Sequence, residues 1–259
     1  MLLVRQVDDP AELNLMIPVI TSIWKNTSIR SELADTFRSI SYNGGVVLQL
    51  LDRDEINVLL IGAPGYKQGE IYLYAKTLYI KEDLAKNASL SLLFPYLKIW
   101  ALDNDYNFIF TELDPFDIDE SSFFFENMCP SSAEPFLLDI ANNSAMKGSN
   151  HQALRMLIGL PLDSSCDKDV PSRDDIPVLS AGAINMNPSR YVKSPAIYFQ
   201  LLSGIKDLRR ADPLSASAIE EDTYKAIQSL LQSGFVITDF LIDATIPVYL
   251  FKKRQRLVV

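Results

Sequence analysis

Between Gly69 and Gly148 the sequence contains no glycine. A strand-to-helix turn in that interval must be built without the residue that most readily takes left-handed dihedrals and lets a ligand approach the backbone. Histidine is as scarce, since His151 is the only one. It lies in GSNHQALRML with no cysteine or serine motif around it, so a role at a helix start is expected rather than a catalytic triad. The two cysteines, Cys129 and Cys166, have no metal-ligand spacing and imply no disulfide framework; two unlinked thiols are expected. No apolar run approaches the ~20 residues that span a bilayer. The opening MLLVRQVDDP lacks the long apolar region and small-residue cleavage site of a signal peptide. A cytoplasmic protein is therefore expected. A net charge of -9 argues against a broad nucleic-acid footprint and against docking on anionic membranes. The one basic run, Lys252, Lys253, Arg254 and Arg256, reads as a solvated strand end.

What is present is a globular balance, 48% hydrophobic and 22% charged over 259 residues, sufficient for one or two domains. LLVRQV predicts a short strand. Asp9 and Pro10 supply the cap and first position of a helix carrying Leu13, Ile17, Ile20 and Trp24 at helical spacing, with Pro18 bending it. A second helix runs from Ser31 to Tyr42 and stops at Asn43-Gly44. GVVLQLLD and INVLLIGA then form a hairpin, and GEIYLYAKTLYI a longer strand. On that strand Tyr72, Tyr74, Lys76, Leu78 and Ile80 are expected to share a face. The stretch TLYIKEDLAKNASLSLLFPYLKIWALDND reads as strand end, connection and helix. NFIFTEL is a fifth strand, DESSFFFENM a helix with an acidic first turn, and EPFLLDI a sixth strand. The order βααβββαβαβ means a mixed sheet covered by helices. Beyond Pro161 a stretch rich in Ser, Asp, Pro and Asn reads as irregular. AIYFQLL, SGIKDLRRA, a helix opened by Asp212-Pro213 and stopped by Gly234, and the strands FVITDFLI and IPVYLFKK close the chain. The expected division is 1–160, a linker at 161–194, and a C-terminal α/β subdomain at 195–259.

This order, with several local sequences, resembles the predicted acetyltransferases of the GNAT superfamily, specifically their longer subgroup. The matching segments are Ile23-Trp24, GGVVLQLL from Gly44, GAPG from Gly62, YLYAKTLYI from Tyr72 and IFTELDPF from Ile109. ADPLSASAIEEDTYKAIQSLLQSGFVITDF from Ala211 extends the match into the tail. The resemblance covers nearly the whole chain except residues 163–194. It implies an α/β fold with a GNAT-like mixed central sheet flanked by helices and a C-terminal strand-helix-strand-strand extension. It implies acetyl-CoA or another acyl-CoA as co-substrate, no metal, and a small amine or amino acid as acceptor; nucleic acid and membrane are not among the expected partners, and a homo-oligomer is left open. Leu78, Tyr79 and Ile80 on the fourth strand, with Lys86, Asn87, Ala88 and Ser89 on the turn, are where the resemblance puts the co-substrate. The departures are specific. The family's R-G-x-G-x-G/A turn is LAKNAS here, Glu120 and Phe124 stand where the subgroup has asparagines, and its fourth-strand SH has become Ala75-Lys76.

Anion binding at a helix start uses unsatisfied N–H groups and the macrodipole, neither of which belongs to glycine. Asn87 tolerates left-handed dihedrals, Ser89 or Ser91 is a candidate cap, and Lys86 adds charge. Pro95 kinks a helix that begins near Ser89; if it is itself the first helical position, the loop lengthens. Acyl transfer to an amine needs a proton acceptor and a proton donor. The family resemblance puts these at the ends of the fourth and fifth strands, making Tyr74, Lys76, Glu112 and Asp114 the candidates, in acidic surroundings that suit a cationic acceptor. Asp114-Pro115 also reads as a chain turn, with Asp117, Asp119 and Glu120 complementing a helix start. Their spacing lacks the glycine and distal glutamate of a calcium loop. Two readings remain: an acyl-CoA-dependent N-acyltransferase acting on a small amine or amino acid, or a GNAT-fold protein that has lost transfer and acts as a binding or regulatory module.

Overall fold

Every residue from 46 to 51 is buried, the pattern of a strand covered on both faces. The structure, a computed structural model, describes residues 2–7, 9, 11–12, 16, 18, 30–53, 55–67, 69–81, 84–140, 151–163, 176–187, 191, 193–243 and 246–254. By contacts the chain divides into two compact units, Met1–Thr111 with Leu160–Ser164, and Glu112–Gly159 with Ser165–Val259.

The first unit contains β1 (Leu2–Gln6), α1 (Arg30–Tyr42), β2 (Val46–Asp52), β3 (Glu55–Lys67), β4 (Glu70–Ile80), α2 (Lys86–Asp103) and the start of β5 (Phe108–Leu113). Its strands lie in sequence order, β1 to β4 antiparallel and β4–β5 parallel, so the sheet is mixed as expected. The crossover required by the parallel pair is α2. Val7, Met16, Phe37, Val47 and Leu59 form one core cluster, with Ile40 and Ile61 packed against it. From α2, Leu90, Leu93, Phe94, Leu97 and Ala101 are buried at helical spacing; burying each large side chain contributes roughly 1.5–3 kcal/mol. Tyr106 stacks on Trp100 at 6.0 Å and donates a 2.5 Å hydrogen bond to the Gly44 carbonyl, tying the end of α2 to the turn before β2. Asp9 accepts from the Ala11 N–H at 2.8 Å, the expected cap. Most of the helix it opens, Trp24 included, lies outside the described residues. The GAPG segment, expected beyond the third strand, is inside β3, where Pro64 pairs with Leu73.

The second unit begins with α3 (Ile118–Phe123), which passes into a π-helical turn, Phe124–Met128. β6 (Ser132–Ile140) pairs antiparallel with β7 (His151–Pro161). Next come β8 (Val178–Leu179), α4 (Ala181–Met186), β9 (Ala196–Gln200), α5 (Ile205–Ala211), α6 (Pro213–Gln232), β10 (Phe235–Asp243) and β11 (Ile246–Lys253). A four-stranded sheet of order β10-β11-β9-β8 carries the expected C-terminal extension.

Three expectations are corrected here. His151 opens a strand, not a helix, because Leu154, Met156, Ile158 and Leu160 are buried at period two. The stretch expected to be irregular holds β8 and α4, with Ser180 capping α4 through the Ala183 N–H at 3.4 Å. Cys129 is in a disulfide, against the expectation of unlinked thiols.

Candidate functional site

The parallel ladder pairs Tyr72 with Phe108, Leu73 with Ile109, Tyr74 with Phe110 and Ala75 with Thr111, and ends there. β4 itself continues to Ile80. Its edge at residues 77–80 is thus outside that ladder among the described residues. Opposite β3 the register shifts, with Leu60 facing Thr77 and Leu59 facing Tyr79, which makes Leu78 the extra residue of a bulge. Leu78 and Tyr79 accordingly both pack against the Val47–Leu59 cluster, and the face alternation expected from Tyr72 through Ile80 breaks between them.

The chain then turns tightly. The Lys81 N–H donates to the Asn57 carbonyl at 2.9 Å and the Leu84 N–H to the Lys81 carbonyl at 3.0 Å. Ala85 is the helix cap, with φ -65° and ψ 119°, and α2 begins at Lys86, earlier than the expected start near Ser89. No described residue of this turn has a positive φ, so its path makes no demand for glycine and Asn87 is helical. Ser89 and Ser91 do not cap. Their hydroxyls donate back to the carbonyls of Ala85 (3.2 Å) and Asn87 (2.7 Å). The first turn contains no acidic residue and no side-chain cap, so the amides at its start keep their outward dipole uncompensated by a carboxylate. Asn87 Oδ1 is buried and has no hydrogen-bond partner.

Pro95 sits in the interior of α2. Its missing N–H removes the helical donor to the Ser91 carbonyl, and both residues are exposed to solvent. At 1.5 Å rise per residue it lies roughly 13 Å from the helix start. It neither delays the helix nor fills the turn.

The proton-transfer candidates fall in different units. In the first, Tyr74 is half-buried and Lys76 exposed on the same face of β4. In the second, Glu112 is half-buried and Asp114 is 7% exposed. Asp114 is heavily engaged. Arg209 Nη1 and Nη2 both donate to it, the latter at 3.2 Å; Arg155 pairs with it at 3.3 Å; the Phe116 N–H donates to it at 3.1 Å. The same guanidinium donates to Glu220 at 2.7 and 3.2 Å, and Glu220 also accepts from the Leu154 N–H at 2.5 Å. Burial works against the charge of Arg209, but hydrogen bonds and attraction from Asp114 and Glu220 outweigh it and raise its pKa. Asp117 caps α3 through the Glu120 N–H at 3.1 Å and pairs with Lys206 at 2.8 Å. Tyr249, below this turn, donates to the Pro115 carbonyl at 3.2 Å and shares a 2.8 Å bond with Ser121.

Arg155, Arg209 and Glu220 were not singled out by the sequence. One signal was there: Ala216, Glu220, Thr223, Ile227 and Leu230 recur at helical spacing and are all buried, so Glu220 lies within the buried stripe of α6 and not on its solvated first turns. Among the described residues no group of three or more metal-ligating side chains converges. A cavity of about 210 Å³ in the second unit, lined by Ser132, Glu134, Gly234 and Arg254 among others, includes none of the predicted site residues.

No family model matches the chain, and no curated protein matches its sequence. Among solved structures it is similar to an acetyltransferase of the GNAT family from Streptococcus pneumoniae, at 11% identity and a TM-score of 0.49 over 62% of this chain and 99% of that one. It is also similar to an N-acetyltransferase from Staphylococcus aureus Mu50, at 13% identity and a TM-score of 0.43 over 62% and 98%. A third is an aminoglycoside 6'-N-acetyltransferase complexed with coenzyme A, at 13% identity and a TM-score of 0.43 over 64% and 99%. The described elements form a mixed α/β sheet flanked by helices. The β4 edge beyond Ala75 and the start of α2 come from consecutive elements of one unit. No described helix is long and apolar enough to cross a membrane.

Proposed function

We propose that the chain is an acyl-CoA-dependent N-acyltransferase acting on a small amine or amino acid. The observation that carries this reading is a strand edge leaving its ladder at Ala75, followed at once by an uncapped, acid-free helix start. The chemistry of a phosphate-bearing ligand fits the turn. The amides of Lys86, Asn87 and Ala88 would take the pyrophosphate, the Lys86 ammonium would add charge, and Ala85 and Ala88, both exposed, are the next smallest residues after glycine. The edge at Leu78, Tyr79 and Ile80 would run beside the pantetheine arm, and the buried Asn87 Oδ1 is an acceptor in want of a donor. Acyl-CoA, when bound, supplies the activated acyl group and a thiolate leaving group.

Among the first unit's own groups, Tyr74 is assigned to give a proton from its phenol to the leaving thiolate. Asp114 is assigned to hold the turn after β5, since Arg209, Arg155 and the Phe116 N–H already occupy its carboxylate.

Calorimetric titration with acetyl-, succinyl- and longer acyl-CoA tests the reading. Saturable binding is expected for the natural chain, weakened on the order of tenfold by Lys86→Glu at the helix start. No binding by any of them would overturn the proposal. Binding without turnover across an amine panel would replace it with a binding or regulatory module.

A further inference from the structure

Cross-strand register places Tyr72 beside Phe108 and Tyr74 beside Phe110, with Gly65 and Ala63 of β3 opposite the two tyrosines. Directly opposite residues share a face. On the reverse face Leu73, Ala75, Ile109 and Thr111 are buried. The aromatic face is closed less fully, all four rings being half-buried. The same face of β2 and β3 is covered by Phe37 and Ile40 of α1 around Val47 and Leu59, and the four rings lie beyond that cluster.

The wall is built. A Cβ at Gly65 would fall 2.3 Å from Tyr72 Cζ, so this glycine is what lets the phenol lie against β3. Phe110 meets Tyr72 edge to face, centroids 4.9 Å apart at 76°, and Phe108 lies 6.2 Å from Phe110. The Tyr74–Phe110 pair is one step from the ladder end at Ala75–Thr111, beyond which the β4 edge assigned to the acyl donor begins. Partly exposed rings, one pair of them held edge to face, favour another ring over an alkyl chain. Of the acidic surroundings expected to suit a cationic acceptor, Asp114 is paired with Arg209 and Arg155, and Asp117 with Lys206, all within the second unit.

We infer that the acceptor is an amine bearing an aromatic ring, which stacks on the wall of Tyr72, Tyr74, Phe108 and Phe110; this rests on the acyltransferase reading above. The test uses the full chain with coenzyme A present and compares 2-phenylethylamine, n-hexylamine and spermidine by calorimetry and saturation-transfer NMR. Phenylethylamine should bind about fivefold tighter than hexylamine, with its ring protons the most strongly saturated. Phe110→Leu and Gly65→Ala should abolish that advantage while leaving acyl-CoA affinity unchanged. Should Gly65→Ala not fold, Phe110→Leu decides alone. Equal affinity for the two monoamines, or preference for spermidine, with acyl-CoA still bound, overturns the inference and leaves the acyltransferase reading standing. Failure of acyl-CoA itself to bind removes both.

Discussion

A single guanidinium, that of Arg209, holds two buried carboxylates, Asp114 just after β5 and Glu220 in α6. Both acids depend on it, since Glu220 is 1% and Asp114 7% exposed. The clamp also accounts for the division of the chain at Thr111: the segment after β5 is bonded to α5 and α6, so it belongs with the C-terminal elements.

Removing the cation should therefore be costly. Arg209→Met leaves two carboxylates without their principal partner, and a loss of about 3–5 kcal/mol is expected in urea unfolding. Arg210→Ala, one residue on but 85% exposed, should stay within about 0.5 kcal/mol. Equal effects of the two substitutions would show that the clamp does not hold this unit together.

At the start of α2, stability and binding should move in opposite directions. Ala88 is exposed in a first turn that has no acid. Ala88→Glu should stabilise the helix by about 0.3–1 kcal/mol through the macrodipole, and the same charge should weaken acyl-CoA binding. Thermal unfolding and calorimetry on one sample measure both signs.

Pro95→Ala should restore the hydrogen bond to the Ser91 carbonyl without disturbing packing, because both residues face water. A gain of about 1–3 kcal/mol is expected. Acyl-CoA affinity should not change, the substitution being roughly 13 Å from the helix start. A loss of affinity would place Pro95 in the site after all.

Alkaline pH should unfold the protein through its buried phenols. Burial raises the pKa of Tyr249 well above 10.0, with Asp114, Glu120 and Asp117 pushing the same way against the Ser121 hydrogen bond, and burial also raises that of Tyr106. A raised folded pKa means a contribution that is complete below pH 10 and is lost as pH climbs toward the folded value. Stability should accordingly fall from about pH 10 upward. Tyr249→Phe should lower stability at neutral pH by about 1 kcal/mol, from its lost hydrogen bonds, and flatten the alkaline slope. Tyrosinate absorbance followed alongside unfolding checks both.

Features written over a few neighbouring residues were legible in the sequence. Asp9, Asp117 and Asp212 cap the helices they were placed beside, because a cap is decided within three residues. The stop at Asn43-Gly44 and the order of the first six strands follow from equally local punctuation. Less legible was His151, whose cap-like neighbours Ser149 and Asn150 outweighed the period-two burial that begins at Leu154. The start of α2 was misplaced for the opposite reason: Ala85 caps it with no side chain at all, leaving no signal to read.

What the sequence determined by itself is the inventory of elements, the mixed α/β class, and the residues from which a phosphate-binding turn would have to be made. Tertiary structure decided what those residues are free to do. Leu78 became a bulge only against Leu59 and Leu60 of β3. Asp114 is held by Arg209, 95 residues away in the chain. The glycine-free turn, in which no described residue has a positive φ, opens on a bare helix start. The physical reason is common to all three: a residue's chemistry follows from the partners that burial brings to it, and those partners are distant in sequence.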